Sequence, residues 1–457
     1  MKLEPLNNRF GGGAVDTVLH PLVAAALCLS VLLVLFLPRK YAIAPVLLVA
    51  FLIPLGQVLV IGGVHFTVFR ITIISGLTRL AWSGPGARLR GTFNAIDGAF
   101  SLWAISYALS FVRLYMDGQA LINRLGFLLD ALGGYFLLRC LIQDPEDVRR
   151  AIKWLIFVTT VIAVCMVIEH RTQRNVFGLL GGVRPTPEVR NGTIRANGVF
   201  QHSILAGCYG ATMVPLYVIL WKQSTRRATA LLGLISSTVV LLTASASTAL
   251  SAYMAGLLAL CLWPIHDRMR FLRWMLVFTL VGLQLVMKAP VWALIGRIDL
   301  TGSSSGYHRY MLVDNCIRHF SDWWLIGTKD YNEWGFDMWD LSDQYVAYAV
   351  TGGLATLVFF IAIISYSFRE LGNARKYVAG DMRYEWLLWC LGAALFAHVI
   401  AYFGIGYFDQ MQVAWFVLLA MISAATTHAM RRHLEGPNRV KHAWMGNPAG
   451  HLGRECL

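Results

Sequence analysis

Apolar residues run in long blocks along the 457-residue chain, separated by short clusters of charge and turn formers. The blocks fall at about 20–37, 43–61, 65–82, 97–113, 121–141, 152–169, 199–220, 229–244, 249–265, 274–295, 345–368, 386–405 and 409–428. Most approach the roughly 18–20 residues that carry a helix across a hydrocarbon core. Closed helices suit such blocks because lipid offers backbone amides no partner. The pattern therefore predicts an all-α, polytopic transmembrane bundle of about 12–13 spans, one domain over residues 1–457. The blocks 43–61 and 65–82 are barely separated, by Gly62 and Gly63.

Composition agrees. Only 14% of residues are charged and 57% are hydrophobic, with a mean hydropathy of +0.58, where a soluble protein carries about a quarter charged residues. The first twenty residues are mixed and Gly-rich (Gly11, Gly12, Gly13), and the first apolar block leads into Pro38-Arg39-Lys40, so no cleavable leader is expected. The net charge of +14 comes largely from short loops beside the blocks, the arrangement that the positive-inside rule produces without nucleic acid. Arg226-Arg227, Arg268 to Arg273, Arg369 to Lys376 and a tail over 430–457 read as cytoplasmic, and Arg88, Arg90, Arg149 and Arg150 fit the same side. Alternation then makes 170–198 and 290–342 external loops, and the expected location is the bacterial inner (cytoplasmic) membrane. The eight cysteines form neither a disulfide framework nor a zinc pattern.

Both external segments are unusual. Residues 170–198 carry Arg171, Arg174, Arg184, Arg190 and Arg195 against Glu188 alone, whereas short translocated loops avoid such a load. The segment is either a solvated basic loop facing headgroups or a site for a polyanion such as a lipid-linked pyrophosphate, which guanidinium forks bind in bidentate fashion. The second, between Arg297 and Asp343, mixes Tyr307, Tyr310, Trp323, Trp324, Tyr331, Trp334 and Trp339 with polar and acidic residues. Loops this long in a compact protein are functional or disordered, and the aromatic density argues against disorder. The rings suit either sugar faces or an aromatic belt at the membrane surface.

Four segments carry a resemblance. Arg195-Ala196-Asn197-Gly198-Val199-Phe200-Gln201-His202 is similar to an Arg-x-x-Gly-x-Phe-x-His signature, with Pro215 in the following helix. Tyr307-His308-Arg309-Tyr310 is followed by Trp323-Trp324-Leu325-Ile326-Gly327, a loop arginine and a hydrophobic-Gly turn. Ser342-Asp343-Gln344-Tyr345-Val346 precedes Gly352-Gly353-Leu354, and the fourth segment is Tyr407-Phe408-Asp409-Gln410. Over about residues 190–420 this order resembles the O-antigen ligase and polysaccharide polymerase superfamily of bacterial membrane glycosyltransferases. Two positions differ from the ligase pattern: Ser247-Thr248 stands where ligases carry Ser-Arg, and Ser342-Asp343 where they carry His-Asn. The Asp form is closer to the polymerase-like branch.

The resemblance implies a GT-C-like helical fold that transfers glycan from undecaprenyl pyrophosphate to a sugar hydroxyl on the periplasmic face. The implied partners are the lipid-linked donor, a glycan acceptor, the bilayer and other polysaccharide-assembly proteins. A leaving pyrophosphate needs fixed cations, and Arg195 and Arg309 are the expected catalytic pair, with Arg190 and Arg318 as further substrate-binding candidates. The early external loop at about 113–121 offers only Asp117 as an acid. A metal needs several hard oxygen ligands, so no cofactor and no metal are expected. Asp343 is either the base that takes the acceptor proton or an N-cap for the helix after it. His202, His398 and Tyr345 complete the candidates, His398 reading equally as a core histidine. A ligase joining the glycan to a lipid A core uses the same donor chemistry. A transporter is the rival of another class, though no repeat relates the two halves.

Overall fold

The computed structural model describes residues 17–82, 93–222, 226–297 and 306–445, with side chains described through residue 435. Arg88, Arg90 and Cys456 lie outside the described residues.

The chain opens with α1 (Pro21–Phe36) and α2 (Arg39–Leu52). Block 43–61 is not one helix. Pro54 disfavours helical geometry at Ile53, which is extended. A hairpin of β1 (Val58–Ile61) and β2 (Val64–Thr67) then turns through Gly62 and Gly63 at φ 58° and 77°. It leads into α3 (Val68–Trp82). Next come α4 (Ala95–Tyr115), started by an Asn94–Asp97 capping box, and α5 (Gly118–Leu128), which passes through one π-helical turn into α6 (Gly134–Leu141). α7 (Pro145–Thr172) is capped by Asp144 at its start and ends on Gln173 in the left-handed region. A second hairpin, β3 (Glu188–Arg190) and β4 (Thr193–Arg195), precedes α8 (Ser203–Val218), α9 (Arg227–Ala244), α10 (Ser247–Cys261) and α11 (Met269–Val286). The long segment that follows holds α12 (Gly306–Arg318) and α13 (Phe320–Trp323), and the chain closes with α14 (Gln344–Tyr377), α15 (Met382–Ala401) and α16 (Asp409–Met445).

Among the described residues, nine helices are long and apolar enough to cross a membrane, so the protein is a multi-pass, helical membrane protein. The shortfall against about 12–13 lies in α1, α2, α3 and α10, each of 14–16 residues. The tail expected from residue 430 begins as a continuation of α16, which runs to Met445.

Charge divides the two ends. At one, Arg226 meets Glu146 at the start of α7, Arg375 meets Asp267, and Arg432 bonds Asp381 between α14 and α15. Lys222 covers the rings of Trp263 and Trp386 at this end. The other end gathers the β3–β4 hairpin, α12, α13 and the first turns of α8, α10 and α14. One apolar core runs from Val23 to Ala429. A smaller cluster of Leu312, Cys316, Trp323, Met338, Val346, Ala349 and Val350 sits under the long segment. That segment is thus a packed cap on α14.

The cap also enters a break in α14. Gly353 adopts φ 76° inside the helix, and Gly327, at φ 90°, lies against it. Leu354 N–H donates to the Trp324 carbonyl at 2.8 Å and Thr328 N–H to the Val350 carbonyl at 2.8 Å. The turn from 324 to 328 therefore supplies partners for groups the interrupted helix leaves open, a condition for irregular backbone at membrane depth.

Candidate functional site

The basic segment owes its shape to a few local signals. Asn191-Gly192, at φ 51° and 76°, forms the two-residue turn of the β3–β4 hairpin. The register sets Glu188 opposite Arg195. Glu169, fully buried at the end of α7, accepts from Asn197 N–H at 3.0 Å and Gly198 N–H at 2.8 Å. Asn175 Nδ2 donates to the Arg184 and Gly198 carbonyls, and Ala196 N–H reaches the Thr243 carbonyl of α9. These ties press Arg195 into the bundle, leaving it 5% exposed.

Arg195 Nε donates to the Ala244 carbonyl at 3.4 Å, and Nη1 lies 3.4 Å from Glu188 Oε1. The other Glu188 oxygen accepts from Ser203 Oγ at 3.4 Å and stands 3.6 Å from His202 Nε2. From the far side α12 contributes Arg309, whose Nη2 donates to Thr248 Oγ1 at 2.8 Å. Thr248 Oγ1 donates onward to the Gly404 carbonyl at 3.3 Å. Arg309 Nε is buried without a partner among the described residues. Arg190, Arg195 and Arg309 line one cavity with Ile204 and residues Ser245 to Thr248. That last stretch is the start of α10, whose N-cap, Ala246, has no capping side chain. Three guanidiniums and the positive end of a helix dipole converge there, a ready site for an anion. Burial lowers the pKa of Arg195, opposed by Glu188, and lowers that of Arg309, opposed by Cys208, Asp343 and Asp340. Both remain cationic at neutral pH.

Asp343 is the N-cap of the helix after it and is not among the residues lining the cavity. Oδ1 caps α14 by accepting from Val346 N–H at 3.0 Å, while Oδ2 is buried without a partner among the described residues. Burial pushes its carboxyl up to about 6, against the pull of the Val346 and Tyr345 amides and Arg309.

The remaining candidates divide. Arg190 joins the cavity. Arg318 does not: it ends α12, nine residues or about 13 Å along the helix from Arg309, pairs with Asp314 at 2.7 Å and points to solvent. His202 is the N-cap of α8, Nδ1 accepting from Ile204 N–H at 3.2 Å. Burial lowers its pKa, though Glu188 opposes the shift. It borders the site through Glu188. His398 is fully buried in α15, Nδ1 lying 2.9 Å from Tyr407 Oη and Nε2 having no partner among the described residues. Tyr345 packs in a ring cluster with Phe360, Tyr402 and Phe403, and donates to the Val399 carbonyl at 3.3 Å. Neither His398 nor Tyr345 lines the cavity. Asp409, from the fourth segment, accepts from Gln201 N–H at 2.7 Å and holds the entry to α8 against α16. Glu188, Thr248 and Asp340 are functional candidates that the sequence pattern did not single out. The Asn191-Gly192 turn signal flanked by β-formers would have set Glu188 across from Arg195. Among the described residues, no group of three or more His, Cys, Asp or Glu could hold a metal ion.

Compared with known proteins, the chain matches no family model and no curated protein.

Proposed function

We propose that the chain is an inner-membrane glycosyltransferase with its active site on the periplasmic face. It polymerises or transfers undecaprenyl-pyrophosphate-linked oligosaccharide repeats in surface-polysaccharide synthesis. One observation carries this reading. Arg195 and Arg309, from segments more than a hundred positions apart, line a single cavity with Arg190 and the start of α10. The cavity lies at the end of the bundle away from the basic clusters, which the positive-inside rule assigns to the cytoplasm. Two buried guanidiniums beside a helix N-terminus suit a diphosphate in charge.

The chemistry follows from the groups present. The acceptor hydroxyl oxygen attacks the anomeric carbon of the donor sugar while the bond from that carbon to the pyrophosphate oxygen breaks. The bonding pair leaves with the polyprenyl pyrophosphate, whose growing charge is met by Arg195 and Arg309 in a partly desolvated site. The hydroxyl proton passes to Asp343 Oδ2, whose carboxyl near 6 suits a general base at neutral pH. No metal is required, because the arginines supply the positive charge. The Asp at position 343 favours polymerisation over ligation to lipid A core.

The test is a reconstitution in nanodiscs with a lipid-linked repeat as sole glycan. A ladder of longer glycans, together with release of polyprenyl pyrophosphate, is the expected product. Formation of no new glycosidic bond with that donor, or transfer only to lipid A core when that is added, overturns the polymerase reading.

A further inference from the structure

Beside the arginine cavity stands a rim of opposite character. Tyr307, Phe336 and Trp339 are 69%, 89% and 67% exposed, an unusual cost for large rings unless something covers them. Trp339 and the turn bearing Tyr307 are held in place. Trp339 Nε1 donates to Asp337 Oδ1 at 3.1 Å, and His308 Nε2 lies 2.9 Å from the Asp340 carbonyl. The second contact ties the turn bearing Tyr307 and Arg309 to the turn bearing Trp339. The Asp340 contact sets this rim against α12, the helix that carries Arg309 into the cavity. Residues 320–343 carry Asp322, Asp330, Glu333, Asp337, Asp340 and Asp343 against Lys329 alone. Basic residues thus line the cavity, and acidic and aromatic ones form the rim.

We infer that this rim is the acceptor subsite and takes an uncharged, hydroxyl-rich sugar chain, stacking its rings on Tyr307 and Trp339 and holding its hydroxyls with Asp337 and Asp340. The inference rests on the glycosyltransferase reading and adds the class of acceptor. Flat faces beside acceptor-only carboxylates match the apolar faces and hydroxyl donors of a sugar. An acceptor bearing carboxylates would meet like charge on the rim and is rejected, which is how unfavourable contacts create specificity. The alternative cover, the bilayer surface, suits the rings, but the run of carboxylates is repelled by anionic headgroups.

The experiment uses the full chain in nanodiscs and calorimetric titration with two probe sets: neutral tetrasaccharides of glucose, galactose, mannose and N-acetylglucosamine, and tetragalacturonate. At least one neutral probe should bind in a Trp339-dependent way, whereas any binding of tetragalacturonate, which the arginine cavity can take, should be the same in wild type and Trp339→Ala. Trp339→Ala and Tyr307→Ala should each weaken the neutral probe about tenfold. Trp339→Phe should retain most of the affinity, and Arg195→Ala should leave it unchanged. Absence of neutral-sugar binding, binding of the acidic probe that Trp339→Ala weakens equally, or unaltered affinity in both Ala variants overturns the subsite. Loss of Trp339 fluorescence to brominated lipid, measured against Trp339→Phe, overturns it in favour of a bilayer contact. The two readings separate cleanly. Normal sugar affinity in both Trp339→Ala and Tyr307→Ala with turnover lost in Arg195→Ala removes the subsite alone. Normal turnover in Arg195→Ala with sugar affinity lost in Trp339→Ala removes the donor reading alone.

Discussion

Arg309 Nη2 and Thr248 Oγ1 are joined by a 2.8 Å hydrogen bond across 61 positions of sequence. Thr248 stands where the ligase pattern that the chain resembles carries an arginine, and α12 delivers one to that very turn. The hydroxyl orients the guanidinium, since it also bonds the Gly404 carbonyl. Thr248→Val should therefore leave Arg309 charged but misaimed. A hydrogen bond to a charged group contributes about 1.5–3 kcal/mol, so turnover should fall about tenfold to a hundredfold, with Thr248→Ser restoring most of it. Equal rates for the Val and wild-type proteins, measured at saturating donor, would remove Thr248 from the site.

Arg195 and Arg309 should behave as one unit on the donor. Each Ala variant should lose about 10²–10³ in turnover, the scale for deleting one donor to a developing charge. Lysine should rescue only in part, because it keeps the charge and loses the fork. The double variant should be little worse than either single. Losses that simply multiply in the double variant would show that the two act on different steps.

The carboxyl of Asp343, pushed up to about 6, gives activity a definite sign with pH. The base is the ionised form, so the rate should rise through pH 6 and level off above it, and fall tenfold per unit well below. Asp343→Asn keeps the cap, since Asn caps helices as well as Asp, yet should lose about 10²–10⁴ in rate. It should also lose the acidic limb. Retention of that limb in the Asn variant would assign it to another group.

At the break in α14, Gly327→Ala and Gly353→Ala should each destabilise the protein. A left-handed non-glycine residue costs about 1–3 kcal/mol. A side chain at either position would also come within 2.7 Å of a backbone carbonyl oxygen, Val350 or Leu325. Thermal unfolding in detergent should show a lower midpoint for both, whereas Gly372→Ala, with nothing near it, should be neutral or stabilising. An unshifted midpoint at Gly327 would mean that the turn is not docked in solution.

The helical, membrane-spanning character was legible because lipid enforces it on every apolar block alike. Legibility failed where local chemistry broke a block. Pro54 and the Gly62-Gly63 turn end α2 early, and hydropathy alone does not register either. Pairing Arg195 with Arg309 relied on motif order, as no periodicity relates residues so far apart. Arg318 shows the limit of reading charge: nothing in its loop announces that Asp314, one turn earlier, holds it at the far end of α12. Glu188 was visible as the lone acid of a basic segment, but its contacts with Arg195, Ser203 and His202 needed the hairpin register.

The docking of residues 324–328 against Gly353 also constrains how the protein is made. Ribosomes synthesise the turn before the helix it completes, so when α14 emerges its interruption can be filled at once. Delivered to lipid without that turn, the same stretch would expose amide and carbonyl groups at a cost of several kcal/mol each. Docking of the preceding turn is therefore a prerequisite for stable insertion of α14, and an undocked turn would leave a nascent chain that quality-control proteases can recognise.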